Sequence, residues 1–375
     1  MINVLHIMDY NGVFGGLYLF LRRISNLLGP KGIEFNYLAR TAPPYDNKEV
    51  LNEFDVPSAE EIDVYKYVSD ISPDIIHFHD YLEKEQMQWC IDRYPTIRTF
   101  HDNYTFCTYG FYKNGRLCYN DSVSHCVKSG CITKQKAKEV QAYLDLQKKM
   151  NLITCFSNNI KEKCLLYGFE ENKVIKIPTL LEQTKGVECV DDMPDKNIIM
   201  YAGRIVETKG IEYIIRSLIK IKDLDWKLVL VGTGEKKYVQ KLLGICMKEK
   251  IMDKVCFKGF LEHDKYIEML SRAKVFIFSS LAPEGYGYTG AEAMLYGIPI
   301  IAFGVDGVEE WLENNYNGFI VPTEDIESMS KSISLLLYDI EEWKRIKKNA
   351  IERRKKLMKI EKQIEILYRM YVQLV

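Results

Sequence analysis

Lys274-Val275-Phe276-Ile277-Phe278-Ser279-Ser280 is followed by Pro283-Glu284-Gly285-Tyr286-Gly287-Tyr288-Thr289-Gly290-Ala291-Glu292-Ala293-Met294, and then by Gly297-Ile298-Pro299 and a second apolar run, Pro299–Gly304. This is a strand, a glycine-rich turn, a short helix and another strand. Near-continuous apolar strands separated by helical stretches predict a parallel sheet covered on both faces. The same alternation extends along the chain. In the first half it gives strands at Asn3–Asp9, Glu34–Arg40, Asp74–Asp80, Thr96–Asp102, Leu152–Ser157 and Lys173–Pro178. In the second half it gives Asn197–Arg204, Trp226–Gly234, Lys254–Phe260, Lys274–Ser280, Pro299–Gly304 and Gly318–Val321. The polar stretch Gln183–Lys196, with Asp191-Asp192 and Pro194, breaks the pattern and reads as a linker.

At 375 residues the chain is long for one core, and two α/β domains are expected. The expected boundaries are a first domain at 1–182 with an insertion at 103–133, a linker at 183–196, a second domain at 197–350, and a basic C-terminal helix at 351–375 that returns to the first domain. A hydrophobic content of 47% and a charged content of 27% describe an ordinary globular protein, and a net charge of −1 gives no electrostatic case for nucleic acid. Residues 341–375 hold eleven Lys/Arg against five Asp/Glu, a surplus that reads as a solvated helix face or a weak attraction to anionic membrane. No apolar stretch has the roughly 20 residues of a membrane span, and Met1–Asp9 reads as a first strand and not as a signal peptide, so a cytoplasmic place is expected.

Ligands of such sheets bind at the carboxyl ends of the strands, and the unusual residues lie there. Glu284 stands in the glycine-rich turn and Glu292 one turn into the helix. A loop feeding a helix in this way directs backbone N–H groups and the positive end of the helix dipole at a ligand. Glycines at 285, 287 and 290 would admit a close approach. Carboxylates beside an anion site repel phosphate, so they fit hydroxyl partners better. Together these features describe a molecule with phosphates at its centre and hydroxyls on both sides. Thr289-Gly290-Ala291-Glu292 also matches a capping box, and spacing alone leaves both readings open. In the same half, Gly203-Arg204 and Lys209-Gly210 place two cations at a helix start, with an ion pair to Glu207 as the plainer alternative, and Gly232-Thr233-Gly234 forms another tight turn. In the first half, Gly15-Gly16 precedes a helix at Leu17–Leu28, and His77, His79, Asp80, His101 and Asp102 fall at strand ends.

This set, in this order, resembles glycosyltransferase family 4, and Glu284-x7-Glu292 followed by Ala293-Met294 and Gly297-Ile298-Pro299 is its most specific part. The resemblance implies a GT-B fold: two doubly wound Rossmann-like domains facing across a cleft. It implies a retaining enzyme that moves a hexose or N-acetylhexosamine from a UDP- or GDP-sugar to a carbohydrate or lipid-linked glycan acceptor, in surface polysaccharide synthesis, with no metal needed for catalysis. Arg204 and Lys209 would hold the diphosphate and stabilise its departure. Glu292 would accept hydrogen bonds from the ribose. Glu284 with Gly285, Tyr286 and Gly287 would hold the sugar, and His101 would lie beside it. Gly15, Gly16 and Gly203 would approach the diphosphate, and the base would rest near Gly232, Gly234, Lys258, Gly259 and Phe260. Family members that build surface polysaccharides commonly work on lipid-linked acceptors, so a peripheral place at the inner face of the membrane is a further expectation.

Two departures stand out: Ile177-Pro178-Thr179-Leu180 replaces the family's Asn-Gly, and Tyr286 stands where Phe is common. Asp223-Leu224-Asp225 has the form of a metal-binding triplet but precedes a strand, at the edge away from the ligand rim, and reads as a turn. Cys107, Cys118, Cys126 and Cys131 crowd one short segment after His101-Asp102. A structural zinc, buried thiols and a disulfide pair all fit that spacing. Other functions stay open as well: an epimerase or hydrolase sharing the donor site, a metal-dependent hydrolase on His77, His79, Asp80 and His101, or a non-catalytic sugar-nucleotide sensor.

Overall fold

A computed structural model describes residues 1–10, 16–41, 56–107, 112–113, 116–117, 123–181 and 196–375. The chain divides into two compact units, one of Met1–Phe111, Tyr119–Leu180 and Ile360–Val375, the other of Tyr112–Cys118 and Leu181–Lys359. All twelve apolar runs form strands; the runs expected at Asn3–Asp9 and Glu34–Arg40 extend by one residue at each end, Gly318–Val321 holds at both ends, and the others are trimmed, the run at Asp74–Asp80 to Ile75–Phe78.

In the first unit the order is β1 (Ile2–Tyr10), α1 (Gly16–Leu28), β2 (Ile33–Thr41), α2 (Val64–Ile71), β3 (Ile75–Phe78), α3 (Lys84–Ile91) and β4 (Thr96–Phe100). A two-residue hairpin follows, β5 (Tyr112–Lys113) with β6 (Arg116–Leu117), and clusters with the second unit. Then come α4 (Val123–Lys128), α5 (Lys134–Lys148), β7 (Leu152–Cys155), α6 (Asn158–Leu166) and β8 (Val174–Lys176). The sheet is parallel, in the order β2-β1-β3-β4-β7-β8. Asp63, Thr133 and Ser157 start α2, α5 and α6 by accepting a hydrogen bond from the backbone three residues on. Leu5, Ile7, Ile76, Phe78, Phe100 and Ile153 are fully or almost fully buried in its core.

The second unit runs β9 (Ile198–Ala202), α7 (Ile211–Ile219), β10 (Lys227–Val231), α8 (Lys236–Lys248), β11 (Val255–Gly259), α9 (His263–Leu270), β12 (Val275–Phe278), α10 (Tyr288–Leu295), β13 (Ile300–Phe303), β14 (Gly318–Val321), α11 (Ile326–Tyr338) and α12 (Ile340–Leu357). Its parallel sheet has the order β11-β10-β9-β12-β13-β14. Strand order reverses between β9 and β12, which lie side by side, and between β1 and β3 in the first unit. In open α/β sheets the crevice above such a reversal is where ligands sit. Asp223-Leu224-Asp225 precedes β10 at the opposite end, and the Asp225 carbonyl accepts from Asn197 and Tyr338 as part of a turn.

The C-terminal stretch corrects one expectation. Residues 351–375 are not one helix: α12 continues to Leu357, and after a break at Met358-Lys359 α13 (Ile360–Val372) begins and packs in the first unit against α1. Much of the basic surplus of α12 is structural. Arg354 donates to the Leu295 carbonyl at the end of α10, Arg353 to the Glu310 carbonyl and Arg345 to Asn315, while Lys347 lies buried over Trp343. The expected linker at 183–196 falls almost wholly outside the described residues. Among the described residues no helix is long and apolar enough to cross a membrane.

Candidate functional site

The site of the second unit grows from the ends of β9 and β12. After β9 the chain turns through Gly203-Arg204 and a single 3-10 turn, Glu207–Lys209, before α7. After β12 it runs through Ser279–Gly287 into α10. The two loops are laced together. Leu281 N–H donates to the Thr208 carbonyl, and the Ser279 hydroxyl donates to the Lys209 carbonyl at 2.8 Å. Gly210 takes φ +66°, and a Cβ there would stand 2.1 Å from the Ser279 carbonyl oxygen, so this crossing requires glycine. The lacing puts Lys209 Nζ in an ion pair with Glu284 Oε1, the side chains 22% and 18% exposed. Burial works to raise the Glu284 pKa, but Lys209, a hydrogen bond from Ser280 and the Arg204 charge hold it below the usual carboxylate value. Glu284 is therefore an ionised acceptor with a cation beside it.

The alternative partner for Lys209 does not hold: Glu207 lies 3.8 Å from Lys241 instead. Arg204 is exposed on its turn, which is fixed from below by the Tyr201 phenol donating to the Arg204 carbonyl at 2.8 Å. Burial raises the Tyr201 pKa well above normal, so it stays a neutral donor.

The capping-box reading of Glu292 also fails. Helix α10 begins at Tyr288 with Gly287 as its cap, which leaves Thr289 inside the first turn. Glu292 is 4% exposed and stands against Tyr266, whose pKa rises well above normal first by burial and then by the Glu292 charge. A carboxylate this deep in the first two turns, with no cap to form, has a reason other than starting the helix.

The glycines of the rim also have a packing role. They were read as openings for a ligand, yet several meet protein. A Cβ on Gly232 or Gly234 would stand 1.9 or 1.8 Å from the carbonyl oxygens of Gly203 and Ile205, and one on Gly290 would stand 2.4 Å from the Trp311 ring. Gly287 lies within the same Phe278 and Trp311 contact. These residues bring loops of the rim against each other. Gly285 and Tyr286 are buried, and the Tyr286 carbonyl accepts from the Trp311 indole at 2.7 Å. Farther along the rim Gly232 N–H donates to the Gly259 carbonyl, which places Gly232–Gly234 beside Lys258, Gly259 and Phe260. Lys258 is exposed, and Phe260 is 48% exposed, a large apolar face at the strand end.

Sequence reasoning missed Tyr201, Ser279, Trp311 and Tyr266. Each acts through a contact more than twenty residues away or through its own turn, and none carries a motif. Only an aromatic or a hydroxyl at the end of an apolar run could have marked Tyr201 and Ser279.

In the first unit Gly16 opens α1 and Gly15 lies outside the described residues. The apolar stripe of α1 is core: Phe20, Leu21, Ile24 and Leu28 are fully buried. His101 follows β4 and meets Phe20 and Phe156, and Asp102 caps the next turn by accepting from Tyr104 N–H at 2.9 Å. Among the described residues, the one set of three His, Cys or carboxylate ligand atoms gathered within 4.8 Å is His6, His77 and His79. Both nitrogens of His77 and of His79 are held in hydrogen bonds, and Asp80 turns to Arg40, so the arrangement expected of a His/Asp hydrolase is not formed. Of the four cysteines, Cys107 and Cys126 are buried, Cys131 is half-buried, and Cys118 lies outside the described residues.

Two parallel six-stranded sheets flanked by helices, with strand order reversing once in each, make up the GT-B fold. Residues 191–353 match the model of "Glycosyl transferases group 1". An uncharacterized glycosyltransferase of Methanocaldococcus jannaschii is 27% identical over 218 residues, 54% of this chain and 55% of the relative. The capsular polysaccharide biosynthesis glycosyltransferase CapM of Staphylococcus aureus is 26% identical over 205 residues, 51% and 50% of the two chains. The chain thus spans about half the length of the curated relatives it matches. Anabaena HepE, solved in complex with UDP-glucose, superposes with a TM-score of 0.73 at 17% identity over 99% of this chain and 100% of that one.

Proposed function

We propose that the protein is a retaining glycosyltransferase that moves a hexose or N-acetylhexosamine from a UDP- or GDP-sugar to a glycan or lipid-linked glycan acceptor. The observation that carries this reading is the Lys209–Glu284 pair beside Arg204, with Glu292 buried on the adjoining helix. Arg204 and Lys209 meet the diphosphate, whose negative charge grows as the anomeric bond breaks. Fixed cations aimed at that charge supply the main acceleration. Glu284, held ionised, accepts hydrogen bonds from sugar hydroxyls, and Glu292 accepts from the ribose. Phe260 and the turn Gly232–Gly234 flank the base.

The reaction in this reading uses no metal, and zinc has at most a structural place in the cysteine segment. CapM, named for capsular polysaccharide biosynthesis, and HepE, solved with UDP-glucose, support the substrate class. Exposed Lys348, Lys355, Lys356 and Lys359 on and after α12 suit a peripheral place at the inner face of the membrane. Mass spectrometry of slow donor hydrolysis across UDP-, GDP- and ADP-sugars tests the donor. One or two donors consumed, faster with a glycan acceptor added, is the expected result. Consumption unaffected by any acceptor would favour a hydrolase or epimerase.

A further inference from the structure

The two cations of the charged rim are held in different ways. Lys209 is aimed by its ion pair with Glu284. The Arg204 side chain is exposed and makes no ion pair or hydrogen bond among the described residues. What directs it among them is therefore the backbone of its turn.

Three hydrogen bonds fix that turn. Gly203 N–H donates to the Val231 carbonyl at 3.0 Å, and Ile205 N–H donates to the Thr233 carbonyl at 2.8 Å, at and just past the end of β10. The third bond comes from the Tyr201 hydroxyl, which donates to the Arg204 carbonyl at 2.8 Å. The peptide joining Arg204 to Ile205 is thus held at its carbonyl by Tyr201 and at its N–H by Thr233. A peptide is planar and moves as a unit, so one held at a single end swings about that bond and rotates the backbone of Arg204 with it. Tyr201 itself has little room to move. It is 4% exposed, and Gly203 lies over it so closely that a Cβ there would stand 2.9 Å from the hydroxyl oxygen. Of the three bonds this is the only one made by a side chain, so a substitution removes it without touching either strand.

We propose that Tyr201 is a positioning residue: its buried hydroxyl aims Arg204 at the charge growing on the diphosphate and touches no substrate itself. A fixed cation accelerates the reaction only while it stands where that charge develops. The diphosphate partner rests on the function proposed above; the three-point hold on the turn does not.

A double-mutant cycle tests this with the sugar nucleotide that the native protein consumes fastest among the UDP-, GDP- and ADP-sugars. kcat and KM are measured for the native protein, Tyr201→Phe, Arg204→Ala and the double variant. Tyr201→Phe keeps the ring and deletes the hydroxyl. It is expected to lower kcat about tenfold with KM little changed, below the roughly 10²–10³ for removing the cation itself. In the Arg204→Ala background the same change should lower kcat less than about twofold, because the cation it aims is gone. An equal loss in both backgrounds would mean a structural role only and would refute the proposal. Native kcat in Tyr201→Phe beside an impaired Arg204→Ala would refute it too, and would leave the proposed function standing. Native turnover of Arg204→Ala, or a native protein that consumes no donor, would overturn the proposed function and this proposal with it. Tyr201→4-aminophenylalanine puts an N–H donor back at the same place, and kcat within about threefold of native is expected. If Tyr201→Phe does not fold, this variant decides: folded but as slow as Arg204→Ala, it refutes the proposal.

Discussion

The two sheets carry opposite chemistry at matching places. At the reversal of strand order in the second unit stand ions: Lys209 paired with Glu284, exposed Arg204, and Glu292 on the next helix. At the reversal in the first unit stand neutral rings, His6, His77 and His79, packed within 5 Å of one another between centroids. One rim holds fixed charge where a diphosphate would develop charge. The other suppresses charge by burial and joins its rings by hydrogen bonds. The same topology thus supports an electrostatic half and a hydrogen-bonding half, and the division tells which substitutions should affect rate and which should affect acid stability.

Removal of a cation from the charged rim should have the largest effect. Lys209→Ala and Arg204→Ala are each expected to lower kcat by about 10²–10³, more than they raise KM. Lys209→Ala should also destabilise the fold, because Glu284 loses its counter-ion, whereas exposed Arg204 should leave the thermal midpoint in place. Steady-state kinetics with paired melting curves would check this, and near-normal turnover of Arg204→Ala would break the assignment.

The neutral rim should announce itself in acid. The folded-state pKa of His6, about 3, lies below its ordinary 6.5, so the unfolded chain takes up the proton first. The stabilisation is fully present above about pH 6.5 and is lost as the pH falls toward 3. At pH 5 this one ring accounts for on the order of 2 kcal/mol. Urea midpoints should therefore drop between pH 6.5 and 5, and His6→Leu should flatten that slope. Asp80 works in the opposite sense. Burial raises its pKa to about 6, so its contribution is lost as the pH rises from about 4 through 6, and Asp80→Asn should remove that smaller, rising cost.

The weakest effect concerns the outer surface of α12. Each exposed lysine near an anionic bilayer contributes about 1 kcal/mol, an attraction that salt screens. Co-sedimentation with anionic vesicles at low salt and release at high salt is expected; equal binding to neutral vesicles would remove the electrostatic argument.

The sequence made the charged rim easier to read than the neutral one. Strand positions followed from apolar runs because a strand covered on both faces must be apolar along its whole length. Glu284, Glu292, Arg204 and Lys209 stood out because charge in a glycine-rich turn is rare and sits at short spacing. The glycines were legible only in part: other parts of the protein press on Gly232, Gly234 and Gly290, and a sequence cannot say whether a close neighbour is ligand or chain. The bonded histidines were hidden for a different reason. His6 lies in β1 while His79 and His101 directly follow β3 and β4, and the bonds joining them depend on register across the sheet. Even His77 and His79, two residues apart, bond to different partners. The break at Met358-Lys359 escaped notice because no proline or glycine marks it.

Glu292 provides the most direct test of the central claim, that the second unit's rim binds a nucleotide sugar. It is buried, it forms no helix cap, and its proposed partner is the ribose. Calorimetry of nucleotide binding to Glu292→Gln, alongside its melting curve, should show affinity lower by about 10–100-fold, the scale of a hydrogen bond to a charged group, with the melting temperature nearly unchanged. Unchanged affinity with a lowered melting temperature would make Glu292 a structural residue and contradict the account.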